Sequence, residues 1–295
     1  MNPRSRRSIC FSLVVVFGLA AIFVSCSSSG SRQSRAVEIR YDRPPPRGAF
    51  QFTVTMRESV EEIVDRVQDE LAVPGISVGV VSGDRLVYVK GFGVQGTGGK
   101  TAASSGTLYH IGSVSKPVTT TLLAIYLERG IVSLQDPISK YLPDEVTVPV
   151  FREDPTEIRI WHLATHTSGL PRSPPNRRNV PYGLGLNPGQ PQPYSHEQLY
   201  EGLASTKLLS KPGTECRYSN YGLGLLGHVL EQAGGKPLET LLKEDLFSPL
   251  GMKSSTVQLA KAQQEHFAAH HWHDDRNRPR RERPPTEFGD IFAHG

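Results

Sequence analysis

A chain of 295 residues, 37% hydrophobic and 21% charged, is long enough to bury a substantial core and belongs to the globular class. Its formal charge of +4 is partly local, because Arg4, Arg6 and Arg7 stand in the first 25 residues, which hold no acid, and the remainder carries 30 basic against 29 acidic side chains. That balance excludes the basic bias that nucleic-acid binding would call for.

The chain opens with "MNPRSRRSICFSLVVVFGLAAIFVSC". Its apolar stretch, Ile9 to Val24, is shorter than the roughly 20 residues of a spanning helix, so residues 1–25 read as a secretory signal. The ending "FVSC" resembles a bacterial lipobox, in which the cysteine is lipidated and becomes the new N-terminus; Phe23 stands where leucine is commoner. Plain secretion and an uncleaved anchor are the alternatives to lipidation at Cys26. Cys10 and Cys26 both belong to the leader, so Cys216 would be a lone thiol and the mature domain must rely on its core. Residues 26–55, rich in Ser, Arg and Pro, read as a solvated tether, with the folded domain over residues 56–295.

Next, "ESVEEIVDRVQDELAVPG" spaces Val60, Ile63, Val64, Val67 and Leu71 by threes and fours, which predicts an amphipathic helix ending before Pro74. Two β-branched runs flank Gly83-Asp84 and predict a hairpin. From about residue 113 the pattern is helical: "TTTLLAIYLERG" ends at Gly130, "SHEQLYEGLASTKLL" pairs an N-cap serine with Gln198, and "YSNYGLGLLGHVLEQAGG" is apolar through its middle. Pro- and Gly-rich stretches between them mark loops. The last segment, from His266 onward, reads as the start of a new strand region. Strands beside a helical block give an α/β (α+β) class, an antiparallel sheet plus a helical domain.

Chemistry enters at "HIGSVSKPVTTTLLAIYLERG", where Ser113 and Lys116 stand three apart. Such residues share a face once a helix has begun. Pro117, comfortable only in a first turn, places the helix start within a residue or two of Ser113, where unpaired N–H groups favour developing negative charge. A serine needs a base, and Lys116 could serve if burial or a nearby cation keeps it neutral. The pair alone is weak, since on the order of one Ser-x-x-Lys match arises by chance at this length. A second feature is Tyr218 and Asn220 in "ECRYSNYGLG", a loop just before an apolar helix. The tyrosine can relay a proton and the asparagine amide can bind a carbonyl. The bland reading is a loop tyrosine followed by a helix cap.

With their flanking words, "YHIGSVSKPVTTTLLAIYLERGIVSLQDPISKYLP", "IRIWHLATHTSGLP" and "PGTECRYSNYGLGLLGHVLE", these stretches resemble, in order, the serine β-lactamase and penicillin-binding-protein-like family, in particular its esterase and AmpC-type branch. The resemblance implies a β-lactamase/transpeptidase-like fold, with Ser113 as the acylated nucleophile, Lys116 and Tyr218 jointly as base and proton shuttle, and Asn220 as the substrate-amide contact. Thr167 and Ser168 would shape a loop at the cleft edge, and His166 would be hydrogen-bonded structure. It implies an ester, amide or β-lactam carbonyl on a small molecule or peptidoglycan peptide, periplasmic export, and no cofactor. The family also carries a Lys-Thr-Gly or His-x-Gly strand, and neither Lys-Thr-Gly nor His-Thr-Gly follows Asn220. The expectation is therefore a domain whose final strands are missing, either a fragment of an enzyme or, alternatively, a truncated, non-catalytic, membrane-tethered binding protein. No metal site is read: His270, His271, His273, Asp274 and Asp275 fit no zinc spacing and suit a polar hairpin loop. "RNRPRRERPP" suits a solvated loop.

Overall fold

A computed structural model describes residues 52–96, 101–152, 154–176, 194–268, 270–273 and 279–283. The leader, Cys26 and most of the tether lie outside the described residues. The described residues fall into two compact units, those of 52–107 with 268–282 and those of 108–267 with 283.

In the first unit, helix α1 (Val54–Leu71) begins at Thr53, whose hydroxyl accepts from the Met56 N–H, and ends at Ala72 in the left-handed conformation, two residues before Pro74. Strands β1 (Gly75–Ser82) and β2 (Arg85–Gly93) pair antiparallel with Ser82 opposite Arg85. The turn is made by Gly83 at φ 62° and Asp84, as the hairpin reading requires. Tyr88 and Phe92, on one face of β2, are buried, and Tyr88 donates a hydrogen bond to Glu61 of α1 at 3.3 Å. Two further short strands, β3 (His270–His273) and β4 (Pro279–Arg283), pair with each other, in line with a strand region near the C-terminus; they replace the loop readings of "HHWHDD" and "RNRPRRERPP" over those residues, because the two runs share a hydrogen-bonded ladder.

The second unit holds the helices. A 3-10 turn (Gly112–Val114) leads into α2 (Ser115–Glu128), and Gly130 at φ 67° follows its end. The short α3 (Ile160–Ala164) follows a second 3-10 turn (Ile138–Tyr141). Helix α4 (His196–Ser205) starts with the expected box: the Ser195 hydroxyl accepts from the Gln198 N–H and the Gln198 side chain accepts from the Ser195 N–H. Helix α5 (Asn220–Gly234) is buried without a break from Tyr221 to Leu230 and ends at Gly235 in the left-handed conformation. It packs on α2, α3 and α6 (Leu238–Leu242), with α7 (Lys261–Gln264) further along. Around its own Leu225 and Leu226 lie Leu122, Ile138, Ile160, Leu163, Leu199 and Leu203, each fully buried. A helix apolar on nearly all sides is the signature of such a central position. None of the described helices is long and apolar enough to cross a membrane.

Candidate active site

Ser113 lies in the middle of the 3-10 turn and Lys116 is the second residue of α2. Pro117 occupies the first turn, where its missing N–H is no loss. This junction turns the lysine back onto the serine, and Lys116 Nζ donates to Ser113 Oγ at 3.0 Å. Tyr218 comes from the loop before α5, 105 residues away in sequence, and its phenol oxygen shares a 2.6 Å hydrogen bond with Ser113 Oγ. The serine hydroxyl thus stands between an amine and a phenol.

Lys116 is only 6% exposed, whereas Ser113 and Tyr218 face solvent. Burial pushes the lysine below its ordinary range; Tyr218 opposes that shift and the positive charge of Arg172 adds to it. Lys116 Nζ also sits 4.9 Å from the centre of the Tyr218 ring. The arrangement can move a proton off a hydroxyl that is open to a substrate.

The loop spanning 166–172 holds the tyrosine. Its backbone turns at His166, with φ 59°, and at Gly169, with φ 74°, where a Cβ would fall 2.1 Å from the Ser210 carbonyl oxygen. His166 brackets Tyr218: its carbonyl accepts from the Arg217 N–H at 2.8 Å and its Nδ1 from the Ser219 N–H at 3.1 Å. The imidazole lies against the phenol ring with centroids 4.6 Å apart. Burial, and behind it the charge of Lys116, favours the neutral ring that can accept this bond. The Arg172 carbonyl accepts from the N–H groups of Asn220 and Tyr221, at 3.0 and 3.2 Å, and its guanidinium lies 5.2 Å over the Tyr218 ring. Thr167 and Ser168 belong to the same loop. The Thr167 carbonyl accepts from the Gly213 N–H at 2.8 Å, and Ser168 is buried beneath it.

Asn220 opens α5 as its first helical residue, half-buried; the cap is Ser219, whose hydroxyl accepts from the Gly222 N–H at 2.8 Å. The bland reading of Asn220 as the cap is therefore displaced by one residue. The structure brings Ser113, Lys116 and Tyr218 together, with Asn220 two residues beyond the tyrosine. Arg172 was missed in the sequence because its place depends on a loop carbonyl docking on the start of α5. A second cluster was also missed: His196, His228 and Glu231 offer ligand atoms within 4.8 Å of one another, the one metal-capable grouping among the described residues. Cys216 is exposed, with Sγ 3.7 Å from the Thr165 carbonyl oxygen.

A hydroxyl, a buried amine and a phenol thus meet at the head of one helix and the loop before another, in a fold of the β-lactamase/transpeptidase-like class. The chain belongs to the Beta-lactamase family, whose profile matches residues 60–293. It is 34% identical over 207 residues to the D-alanyl-D-alanine-carboxypeptidase/endopeptidase AmpH of Escherichia coli strain K12, covering 69% of this chain and 51% of that protein. It is 30% identical over 215 residues to a beta-lactamase of Pseudomonas fluorescens, covering 72% and 54%. Among solved structures it resembles EstCE1, described as a hydrolase with promiscuous acyltransferase activity, with a TM-score of 0.66 and 27% identity over 79% of this chain and 62% of that one. The chain spans about half the length of the curated relatives it matches.

Proposed function

We propose that the protein is an exported acyl-transferring hydrolase in which Ser113 attacks an ester, amide or β-lactam carbonyl. The observation that carries this reading is the Ser113 hydroxyl, 3.0 Å from the Lys116 amine and 2.6 Å from the Tyr218 phenol. Lys116 in its neutral form, directly or through Tyr218, takes the hydroxyl proton as Oγ bonds to the carbonyl carbon. The resulting oxyanion is met by the Ser113 N–H in the 3-10 turn that leads into α2. Collapse expels the leaving group with the proton returned from the Lys116–Tyr218 pair, and water then releases the acyl group by the same route. Asn220 contacts the substrate amide, and the guanidinium of Arg172 suits a substrate carrying a carboxylate. These assembled contacts favour catalysis over the non-catalytic binding role.

The substrate class is a small molecule or a peptidoglycan peptide. A carboxypeptidase/endopeptidase and a beta-lactamase among the relatives support that range, and the acyltransferase activity named for EstCE1 supports a covalent acyl intermediate. Residues 1–25 act as the export signal, Cys26 carries the lipid anchor, residues 26–55 form the tether and residues 56–295 the hydrolase domain. The test is turnover of a chromogenic cephalosporin, a D-alanyl-D-alanine peptide and a p-nitrophenyl ester by the protein and by Ser113→Ala. Hydrolysis of at least one, lost in the variant, is expected; hydrolysis that survives in Ser113→Ala overturns the assignment.

A further inference from the structure

Helices α4 and α5 meet at three side chains that the serine chemistry does not use. His196 is the first residue of α4, and His228 and Glu231 lie one turn apart on α5. His228 is buried, with its ring at 0% exposure, and Glu231 is 11% exposed. The carboxylate is aimed by its partners. Oε1 accepts from the Leu238 N–H at 2.7 Å, while Oε2 lies 3.2 Å from His228 Nδ1 and 3.2 Å from His196 Nε2.

We propose that His196, His228 and Glu231 form a binding site for a divalent transition-metal ion of the zinc class. Zinc bonds to nitrogen and oxygen of about 2.0–2.2 Å in a tetrahedron put neighbouring ligand atoms about 3.3–3.5 Å apart. Two of the three edges here are already 3.2 Å. The third, between the two imidazoles, is within 4.8 Å, and a modest rotation of the one-third exposed His196 ring closes it. Two imidazoles and a carboxylate are the donor set that holds zinc with a fourth position left open. Outer support is also in place: Tyr200 Oη lies 2.7 Å from His228 Nε2. On binding, the His228 proton belongs on Nε2, where Tyr200 accepts it, leaving the Nδ1 lone pair for the metal. The His196 Nε2 is itself covered, so the same rotation of this one-third exposed ring also admits the ion. Such an ion would tie α4 to the helix whose N-terminal end carries Asn220.

The alternative is a hydrogen-bonded tie that binds nothing. The two are separated by titrating the chelator-treated, full 295-residue protein with Zn2+ against a chromogenic chelator, and with Co2+ followed through its visible d–d bands. One equivalent with tetrahedral Co2+ bands is expected, and added Zn2+ raises the melting temperature. His196→Gln, which keeps a polar side chain at a partly exposed helix start, weakens binding at least about 10-fold and removes the thermal shift. Glu231→Gln does the same, and replacing His270, His271 and His273 together by Gln leaves this binding intact. No binding by the unaltered protein, equal binding by His196→Gln, or loss of binding in the triple β3 variant overturns the proposal.

Discussion

In the helical unit, Leu122, Ile160, Leu163, Leu225 and Leu226 are sealed at 0% exposure, whereas in the hairpin unit Val81, Leu86 and Val89 stand 59%, 60% and 45% exposed. The centre of the helical unit is thus sealed, while the hairpin buries Tyr88 and Phe92 and leaves other apolar side chains in water. Ser113, Lys116, Tyr218 and Asn220 all belong to the enclosed unit, at the ends of α2 and α5. Proton transfer from a hydroxyl depends on distances held within a few tenths of an ångström, and a well-packed helix pair supplies that constancy.

The contrast can be pressed at decreasing cost. The largest loss falls on the base: Lys116→Ala is expected to slow acylation by about 10²–10⁴-fold, read by stopped-flow or intact mass against time, with the melting temperature little changed. A loss under about tenfold would move the base role to Tyr218. Next comes the core that holds the helices: Leu225→Ala should cost about 2–5 kcal/mol in urea unfolding, because a fully buried leucine leaves a cavity. Leu86→Ser in the hairpin should change stability by about 0.5 kcal/mol or less, since the side chain is already in water. Equal costs at the two positions would erase the distinction between the units.

Two pH effects are finer. Acylation rises with pH as Lys116 loses its proton, on a limb below the ordinary lysine range, because burial and then Arg172 favour the neutral amine while Tyr218 works against them. Arg172→Gln removes one of the two favourable causes and moves that limb to higher pH, measured as acylation rate against pH; a limb that stays in place removes Arg172 from the account. His162 is buried at the start of α3 and accepts the Arg159 N–H at 2.9 Å through Nδ1. Burial, and then the charge of Arg159, lowers its pKa to about 4, so between about 6.5 and about 4 the unfolded chain takes up the proton and the folded one does not. This group's stability contribution is full above about 6.5 and falls with acid across that window, and His162→Asn should flatten the loss in thermal melts at stepped pH.

Legibility in the sequence followed distance along the chain. The start of α2 could be read because Ser113, Lys116 and Pro117 lie within five residues and proline tolerates few helix positions. The Ser195–Gln198 box and the Gly83-Asp84 turn were legible for the same local reason. Tyr218 was a candidate from its loop before an apolar helix, but its pairing with Ser113 was legible only through the order of three sequence words, since nothing local says that a tyrosine meets a serine 105 residues away. The role of Arg172 was hidden because it is its backbone carbonyl, a group every residue has, that docks the loop on α5. His228 and Glu231 form a visible pair at i,i+3, but their third partner lies on α4, beyond the reach of spacing rules. His166 was expected as structure and is so used, yet its left-handed backbone and its position against Tyr218 come from the packing of two loops.

The central claim is that Ser113 is the acylated atom, made reactive by the lysine and phenol beside it. Its most direct test is peptide mapping by mass spectrometry after treatment with a fluorophosphonate or a penicillin. The account predicts one adduct, on the peptide containing Ser113, absent in Ser113→Ala and strongly slowed in Lys116→Ala; an adduct on another residue, or one that persists in Ser113→Ala, would contradict it.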